Sequence, residues 1–257
     1  MSGRINTWMT NLLVVFNASN RFYFSKQHKF TMNLPSNTQL HNMLQMQQNI
    51  NATVNPDWIN AKYAWHRAIM VEAVEALEHF GWKWWKKQQP DMDQAKMELV
   101  DIWHFMLSRF IEKHGSVSFA LADEMLGDIT IIHNSIESVS KFTPSVQEKL
   151  DRMIGASARN EIYLLSKDMG FVFVALMRDF DMTWDDLYGM YVAKNVLNKF
   201  RQDNGYKTGE YRKIWGTQEN NFLEDNEYVS TYLKSNRNAS EHELYSYMGE
   251  VYTAIKA

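Results

Sequence analysis

Cysteine is absent from the 257-residue sequence, and proline occurs only at positions 35, 56, 90 and 144. The lack of cysteine excludes disulfides, thiolate nucleophiles and cysteine-bound zinc, and it is typical of a chain that works in a reducing compartment. We therefore expect a cytoplasmic location. Any metal site must take its ligands from Asp, Glu, His, Asn or Gln side chains.

Excess charge and long apolar runs are also missing. The 27 basic and 30 acidic residues give a net charge of −3, which argues against a broad basic surface for nucleic acid or an anionic membrane. The apolar run at 12–16 is too short to span a bilayer, and no small-residue cleavage site follows it. We expect no nucleic-acid partner and no membrane contact.

The sequence does contain helical periodicity. Hydrophobic residues make up 45% of the chain, enough for a packed core. Between the prolines and glycines these residues recur at three- and four-residue spacing, which predicts an all-α helical bundle. The predicted helices cover about 37–51, 57–80, 92–113, 117–140, 145–155, 157–179, 182–203 and 240–256, and an ordered loop covers 201–221.

Residues 1–36 lack this pattern, so we predict a poorly patterned N-terminal extension followed by a single all-α domain at 37–257.

In the helix at 57–80, Asp57 is a candidate N-cap, and the spacing of Met70, Val74 and Leu77 predicts a buried stripe. Thr183 is a start signal for the helix at 182–203.

Two of the predicted helices each carry a pair of acids three residues apart, Glu72 with Glu75 and Glu98 with Asp101. This spacing places both carboxylates of a pair on one helix face. If the helices are antiparallel neighbours, all four acids can converge, and their repulsion then requires cations. Carboxylate oxygens, water and substrate phosphates are the ligands that Mg²⁺ prefers.

An isolated pair of this kind is more often a solvated helix face. The second pair is harder to explain in that way, because Glu98 and Asp101 lie among apolar residues such as Val100 and Trp103. His104 lies one turn beyond Asp101, where it is either a satisfied core histidine or a ligand-facing group.

Several ordered motifs resemble one known family. They are QQNIN at 47–51, EAVE at 72–75, GWKWWK at 81–86, ELVDIWHF at 98–105, and KNVLNKFRQDNGYK at 194–207, which continues through Tyr211, Lys213 and Trp215. These motifs are similar to those of the dimeric dUTPases, members of the all-α NTP pyrophosphatase superfamily that also includes MazG-like enzymes and phage dCTPases. The resemblance covers residues from about 41 to about 221.

The resemblance implies a homodimer that hydrolyses dUTP to dUMP and pyrophosphate, which controls the dUTP level and supplies dUMP for thymidylate synthesis. It implies two or more Mg²⁺ ions per site, for which Mn²⁺ can substitute, and dUDP is a further candidate substrate. The alternatives are a dCTP or mixed dCTP/dUTP pyrophosphatase and, less favoured, a non-catalytic helical scaffold.

The resemblance also implies roles for individual residues. Glu72, Glu75, Glu98 and Asp101 bind the metal, and Glu75 is our choice for orienting or deprotonating the attacking water. The nucleobase residues are Gln48, Asn51, Trp84, His104 and Phe105; an amide suits uracil because it both donates and accepts. Arg201, Lys207 and Lys213 form the outer phosphate clamp, and Lys83 and Lys86 are further candidates to approach the phosphates. Asn195 and Asn198 are expected to bind substrate or metal-bound water. The remaining substrate-binding residues are Lys194 and Tyr206.

Plainer interpretations of some of these residues remain open. Lys83 and Lys86 are alternatively surface lysines. Asn195 and Asn198 are alternatively surface or capping residues. The loop that carries Arg201, Lys207 and Lys213 is alternatively an ordinary solvated loop. Of the neighbouring tryptophans, we expect Trp82 or Trp85 to lie in the core.

Overall fold

The computed structural model describes residues 32–138, 144–161, 169–216, 222–236 and 239–256. Within these ranges the chain forms nine α-helices and no β-strand, which confirms the all-α class. The helices are α1 (Asn37–Val54), α2 (Trp65–Phe80), α3 (Met92–His114), α4 (Phe119–Ser138), α5 (Val146–Ala158), α6 (Met169–Asp179), α7 (Trp184–Asp203), α8 (Asp225–Ser235) and α9 (Glu241–Lys256). None of these helices is both long enough and apolar enough to cross a bilayer.

Local sequence signals explain several of the helix ends. Thr183 caps α7, as predicted, because its hydroxyl accepts a hydrogen bond from Asp186 N while the Asp186 carboxylate binds back to the cap. Helices α2 and α3 both end at a glycine with φ +81°, Gly81 and Gly115, where a side chain would be strained. The turn after Gly81 reverses the chain, since Asp91 N donates to His79 O at 2.8 Å. Helices α2 and α3 are therefore antiparallel neighbours.

The largest packed layer is built around α3. This helix packs against α1, α2, α6 and α7, and α2 also packs against α5. Trp103 of α3 is fully buried, stacks on Phe173 at 5.2 Å between ring centroids, and meets Trp184 edge-on at 5.5 Å. These aromatic contacts hold the middle of α3 rigidly, next to the acids of the same helix.

A second apolar cluster joins α7, α8 and α9. Its centre is Trp215, which is fully buried against Phe200 and Tyr252. The Tyr252 hydroxyl accepts a hydrogen bond from Arg212 N at 2.9 Å. The loop after α7 is therefore anchored by the last helix.

Some local predictions for α2 are wrong. The helix begins at Trp65 and not near Asp57, because residues 57–61 form turns. Its fully buried residues are Ile69, Ala73 and Ala76, whereas Val74 is 42% exposed. The predicted stripe of Met70, Val74 and Leu77 is off by one position, because α2 packs closely through its small alanines.

Other boundaries also differ from the predictions. The predicted helix at 157–179 is α6 only from Met169, because Arg159 and Asn160 form a turn and 162–168 lie outside the described residues. Helix α8 was not predicted. The residues from Met32 onward belong to one compact unit. Of the predicted extension at 1–36, residues 1–31 lie outside the described part, while Met32 is buried.

Candidate active site

Three of the four predicted metal-binding acids meet between α2 and α3. One carboxylate oxygen from each of Glu72, Glu98 and Asp101 lies within 4.8 Å of the others. Glu98 is buried, while Glu72 and Asp101 are partly exposed. Glu75 is exposed and lies outside this group, although its charge acts on Glu72. We call Glu72, Glu98 and Asp101 the acidic cluster.

Two carboxyl groups of the acidic cluster, those of Glu72 and Glu98, have raised pKa values. Burial, followed by the charge of Asp101, raises the pKa of Glu98 to about 9 from an ordinary value of 4.5. The same two causes raise the pKa of Glu72 to about 7, and a hydrogen bond joins the two carboxyl groups. A divalent cation that displaced these protons would stabilise the ionised carboxylates of the cluster.

Lys194 of α7 brings a positive charge to the cluster. Its Nζ lies 2.7 Å from Asp101 Oδ2, and its side chain is only 5% exposed. The same ammonium group donates to Asn226 Oδ1 at 3.0 Å. His79, at the end of α2, also approaches the cluster, with its Nε2 3.5 Å from Glu98 Oε1. Three helices therefore contribute charged groups to one small region.

Arg201, one of the predicted phosphate-side residues, is buried and already paired. Its Nε and Nη2 donate to the two carboxylate oxygens of Asp225 at 2.8 and 2.7 Å. Asn198 Oδ1 also accepts from Arg201, at 3.3 Å. The arginine lies 5.9 Å from the ring centroid of Tyr206. Arg201 thus belongs to a fixed network and not, as predicted, to a loop.

The other basic residues of this region lie nearer the surface. Lys207 is exposed and donates to Val54 O at 3.2 Å, while Lys213 pairs with Glu224 at 2.8 Å.

Asn195 is buried, and its amide nitrogen donates to Tyr191 O at 3.1 Å. The glycines at 205 and 209 have φ of +85° and +78°, so they allow the tight turns of this loop.

A buried polar network lies on the predicted nucleobase side. Gln47 Oε1 accepts from His104 Nδ1 at 2.7 Å and lies 2.8 Å from the Tyr191 hydroxyl. Gln47 Nε2 donates to Asn51 Oδ1 at 2.9 Å, and Asn51 Nδ2 donates to Ser108 Oγ at 2.9 Å. The network orients Asn51 and fixes the histidine ring.

Two atoms beside this network have no hydrogen-bond partner among the described residues, His104 Nε2 and Gln48 Oε1. Burial lowers the pKa of His104 to about 4, so the ring is neutral at pH 7. Since its Nδ1 proton goes to Gln47, its Nε2 is a free acceptor. Phe105 is half-buried and lies 6.2 Å from Trp65 between ring centroids. Both atoms are buried, and buried polar atoms in folded proteins usually have a hydrogen-bond partner.

The turn after α2 presents aromatic and basic side chains to solvent. Trp84 is 88% exposed, and Trp82 and Trp85 are 38% and 57% exposed, so our expectation that one of the latter lies in the core is wrong. The reason is that these rings pack mainly on one another, at 5.2 and 5.5 Å between centroids. Lys83 pairs with Glu78, and Lys86 is exposed.

Sequence reasoning missed several residues of this site. The motif at 47–51 contains both Gln47 and Gln48, and the sequence predicts nucleobase binding for Gln48 alone. The structure shows that Gln47 is the glutamine that orients His104 and Asn51. Tyr191 and Ser108 carry no local signal, since their roles depend on contacts between helices distant in sequence. Asp225 and Asn226 begin a helix that was not predicted.

The sequence model of the dUTPase family matches residues 39–206, well over half of the chain. The chain belongs to the dUTPase family. This match confirms the resemblance inferred from the motifs, and it makes the protein a dUTP diphosphatase, which is a hydrolase. A search of curated proteins finds no match. The acidic cluster and Lys194 of this dUTPase lie inside the matched range, whereas Lys213 and helix α8 lie beyond it.

Proposed function

We propose that this dUTPase hydrolyses dUTP to dUMP and pyrophosphate with Mg²⁺ held by the acidic cluster. The observation that carries the proposal is the convergence of three carboxylate oxygens within 4.8 Å, one of which belongs to Asp101, the partner of Lys194. Hard oxygen donors suit Mg²⁺, and Mn²⁺ prefers the same ligands. When bound, the metal would lower the pKa of a coordinated water and offset charge on the leaving pyrophosphate.

Charge supports the same proposal. A nucleoside triphosphate is strongly anionic, so it approaches three acids only if cations reverse the local sign. Glu75, exposed one turn from Glu72, remains our choice for orienting or deprotonating the water. We propose two or more metal ions per site, with Glu75 completing the ligand set.

On the nucleobase side we propose that Gln48 and Asn51 bind the uracil edge, with Trp84, His104 and Phe105 lining the pocket. The unpartnered Gln48 Oε1 and the fixed orientation of Asn51 support this assignment. On the phosphate side we propose roles for Lys194 and Arg201, with additional contacts from the residues Lys83, Lys86, Asn195, Asn198, Tyr206, Lys207 and Lys213.

A turnover panel with purified protein tests the substrate. Hydrolysis of dUTP, dCTP, dTTP, UTP and dUDP is measured by pyrophosphate or phosphate release, with Mg²⁺, with Mn²⁺ and with EDTA. We expect dUTP to be preferred, activity with either metal, and none with EDTA. Preference for dCTP would support the alternative substrate, and equal use of all five nucleotides would exclude uracil recognition.

A homodimer is a further part of the proposal. Val71 and Val74 on the outer face of α2 are 46% and 42% exposed, and the exposed tryptophans at 84 and 85 follow that helix. Apolar area of this kind favours burial against a second copy. Sedimentation velocity over a range of concentrations would detect the dimer.

A cytoplasmic location also remains a proposal, supported by the absence of cysteine.

A further inference from the structure

One amide oxygen connects two cations of the active site. Asn226, the second residue of α8, places its Oδ1 3.0 Å from Lys194 Nζ and 3.3 Å from Arg201 Nη2. Both cationic side chains are almost completely buried. The residue lies beyond the range matched by the dUTPase family, on a helix whose sequence gave no sign of a role in the site.

The two cations differ in how firmly they are held. Arg201 forms two hydrogen bonds with Asp225, a fully buried carboxylate that also accepts from the Tyr211 hydroxyl at 2.8 Å. Asp225 itself is fixed by the hydrogen bond from its backbone nitrogen to Lys213 O, 3.0 Å long. Arg201 is therefore anchored without Asn226.

Lys194 has no comparable anchor. Its Nζ has two hydrogen-bonding neighbours in the described structure, Asp101 Oδ2 at 2.7 Å and Asn226 Oδ1 at 3.0 Å. Asp101 belongs to the acidic cluster, so Lys194 and a metal ion would compete for the same carboxylate. How strongly Lys194 holds Asp101 depends on what else holds the ammonium group.

We propose that Asn226 is a positioning residue that shares Lys194 with Asp101 and thereby sets the affinity of the acidic cluster for its divalent metal. This inference rests on the proposed function of the cluster. Asn226 accepts from Lys194 but carries no charge, so it holds the ammonium group in place without removing it from Asp101.

Two substitutions at this position change the balance in opposite directions. In Asn226→Ala the ammonium group keeps only Asp101 as a close partner, pairs with it more tightly, and competes with the metal. In Asn226→Asp a new carboxylate lies between Lys194 and Arg201, draws Lys194 from Asp101, and adds negative charge near the metal. Loss of a direct partner of a metal ligand usually weakens metal binding by about 10- to 100-fold. Asn226 acts on Asp101 through Lys194, so we expect an effect at the lower end of that range.

Metal affinity is measured on the nucleotide-free protein by titration with Mn²⁺, followed by the electron paramagnetic resonance signal of free Mn²⁺. We expect the Kd of Asn226→Ala to rise about tenfold and that of Asn226→Asp to equal or fall below the wild-type value. Steady-state kinetics give a second readout: the Mg²⁺ concentration for half-maximal rate should rise in Asn226→Ala, while kcat at saturating Mg²⁺ recovers.

The matched control is Lys234→Met. Lys234 lies on the same helix and also ties it to the α3 region, through an exposed pair with Asp93 at 2.6 Å, but it contacts neither cation. If loosening of α8 were the cause, this variant would weaken Mn²⁺ binding as much as Asn226→Ala does. We expect it to bind Mn²⁺ as the wild type does.

The outcomes separate this inference from the proposed function. Wild-type protein that binds no Mn²⁺ and hydrolyses no dUTP would overturn both. Wild-type protein that binds and hydrolyses, together with unchanged affinity in Asn226→Ala, or with shifts of the same sign in both Asn226 variants, would overturn the role of Asn226 alone. Thermal melting of each variant checks that the fold is retained.

Discussion

Replacing Glu98 with glutamine should stabilise the metal-free protein while removing its activity. Two like unit charges 4.8 Å apart, the limit found for the acidic cluster, repel by about 3.5 kcal/mol at an effective dielectric constant near 20. Burial and Asp101 raise the pKa of Glu98 to about 9. The free energy of folding lost through this shift is of similar size. At pH 7 that shift disfavours folding by about 3 kcal/mol. The neutral amide avoids this cost and can still donate to Glu72.

The gain should depend on pH. The folded protein binds the Glu98 proton more tightly than the unfolded chain does, so its stability falls as pH rises from 4.5 towards 9. The advantage of Glu98→Gln is therefore close to zero near pH 4.5, grows through pH 7, and levels off above pH 9. For a domain of this size, a gain of 2–3 kcal/mol raises Tm by roughly 5–10 °C.

Differential scanning calorimetry in EDTA at pH 5, 7 and 9 measures this effect. Glu75→Gln is the matched control for stability, because Glu75 is an exposed acid of the same region that lies outside the cluster. A lower Tm for Glu98→Gln, or a gain that is the same at all three pH values, would refute the electrostatic reasoning. Added Mg²⁺ should raise the Tm of the wild type and not that of Glu98→Gln, and retained dUTP hydrolysis would contradict the metal assignment.

Two further variants test other parts of the site. Trp84→Ala should raise the KM for dUTP and leave Tm unchanged, because this side chain is 88% exposed and contributes little to the core; an unchanged KM would remove Trp84 from the uracil pocket. Gln47→Leu should lower the free energy of unfolding, measured in urea, by about 1–3 kcal/mol, since His104 Nδ1 then loses its acceptor while the Tyr191 hydroxyl keeps Met43 O; a neutral effect would show that water or another side chain replaces it.

The spacing of the acids is the part of the site that the sequence predicts best. Helical geometry places Glu72, Glu98 and Asp101 on facing sides of two neighbouring helices, and the structure brings their oxygens together. Glu75 departs from this pattern: it is exposed, although its spacing from Glu72 is the same as that of Asp101 from Glu98. The three-residue spacing therefore does not by itself decide whether both acids of a pair face the neighbouring helix.

The burial of α2 shows where pattern reasoning fails. Large apolar residues define the predicted stripe, yet Val74 is exposed, while Ala73 and Ala76 are fully buried. Small side chains let α2 approach α3 and α5 closely, and a hydrophobicity pattern gives them little weight. The error of one position moves the predicted core to a surface that we now propose for dimer contact.

The polar partners of the site could not be predicted from local sequence. Arg201 and Asp225 are 24 residues apart in the sequence, and Asn51 and Ser108 lie on different helices. Such pairs depend on tertiary packing, which no periodicity describes. Helix α8 was missed because it is short and has only two fully buried residues, Asp225 and Val229.

The contact between Tyr252 and Arg212 has a practical consequence for protein engineering. The Tyr252 hydroxyl and the aromatic rings around Trp215 hold the chain directly after the glycine turn at 205–209, so a change in α9 is transmitted to the loop that we propose for phosphate binding. Shortening the last helix, or fusing a bulky tag that disturbs it, would therefore impair nucleotide handling at a distance.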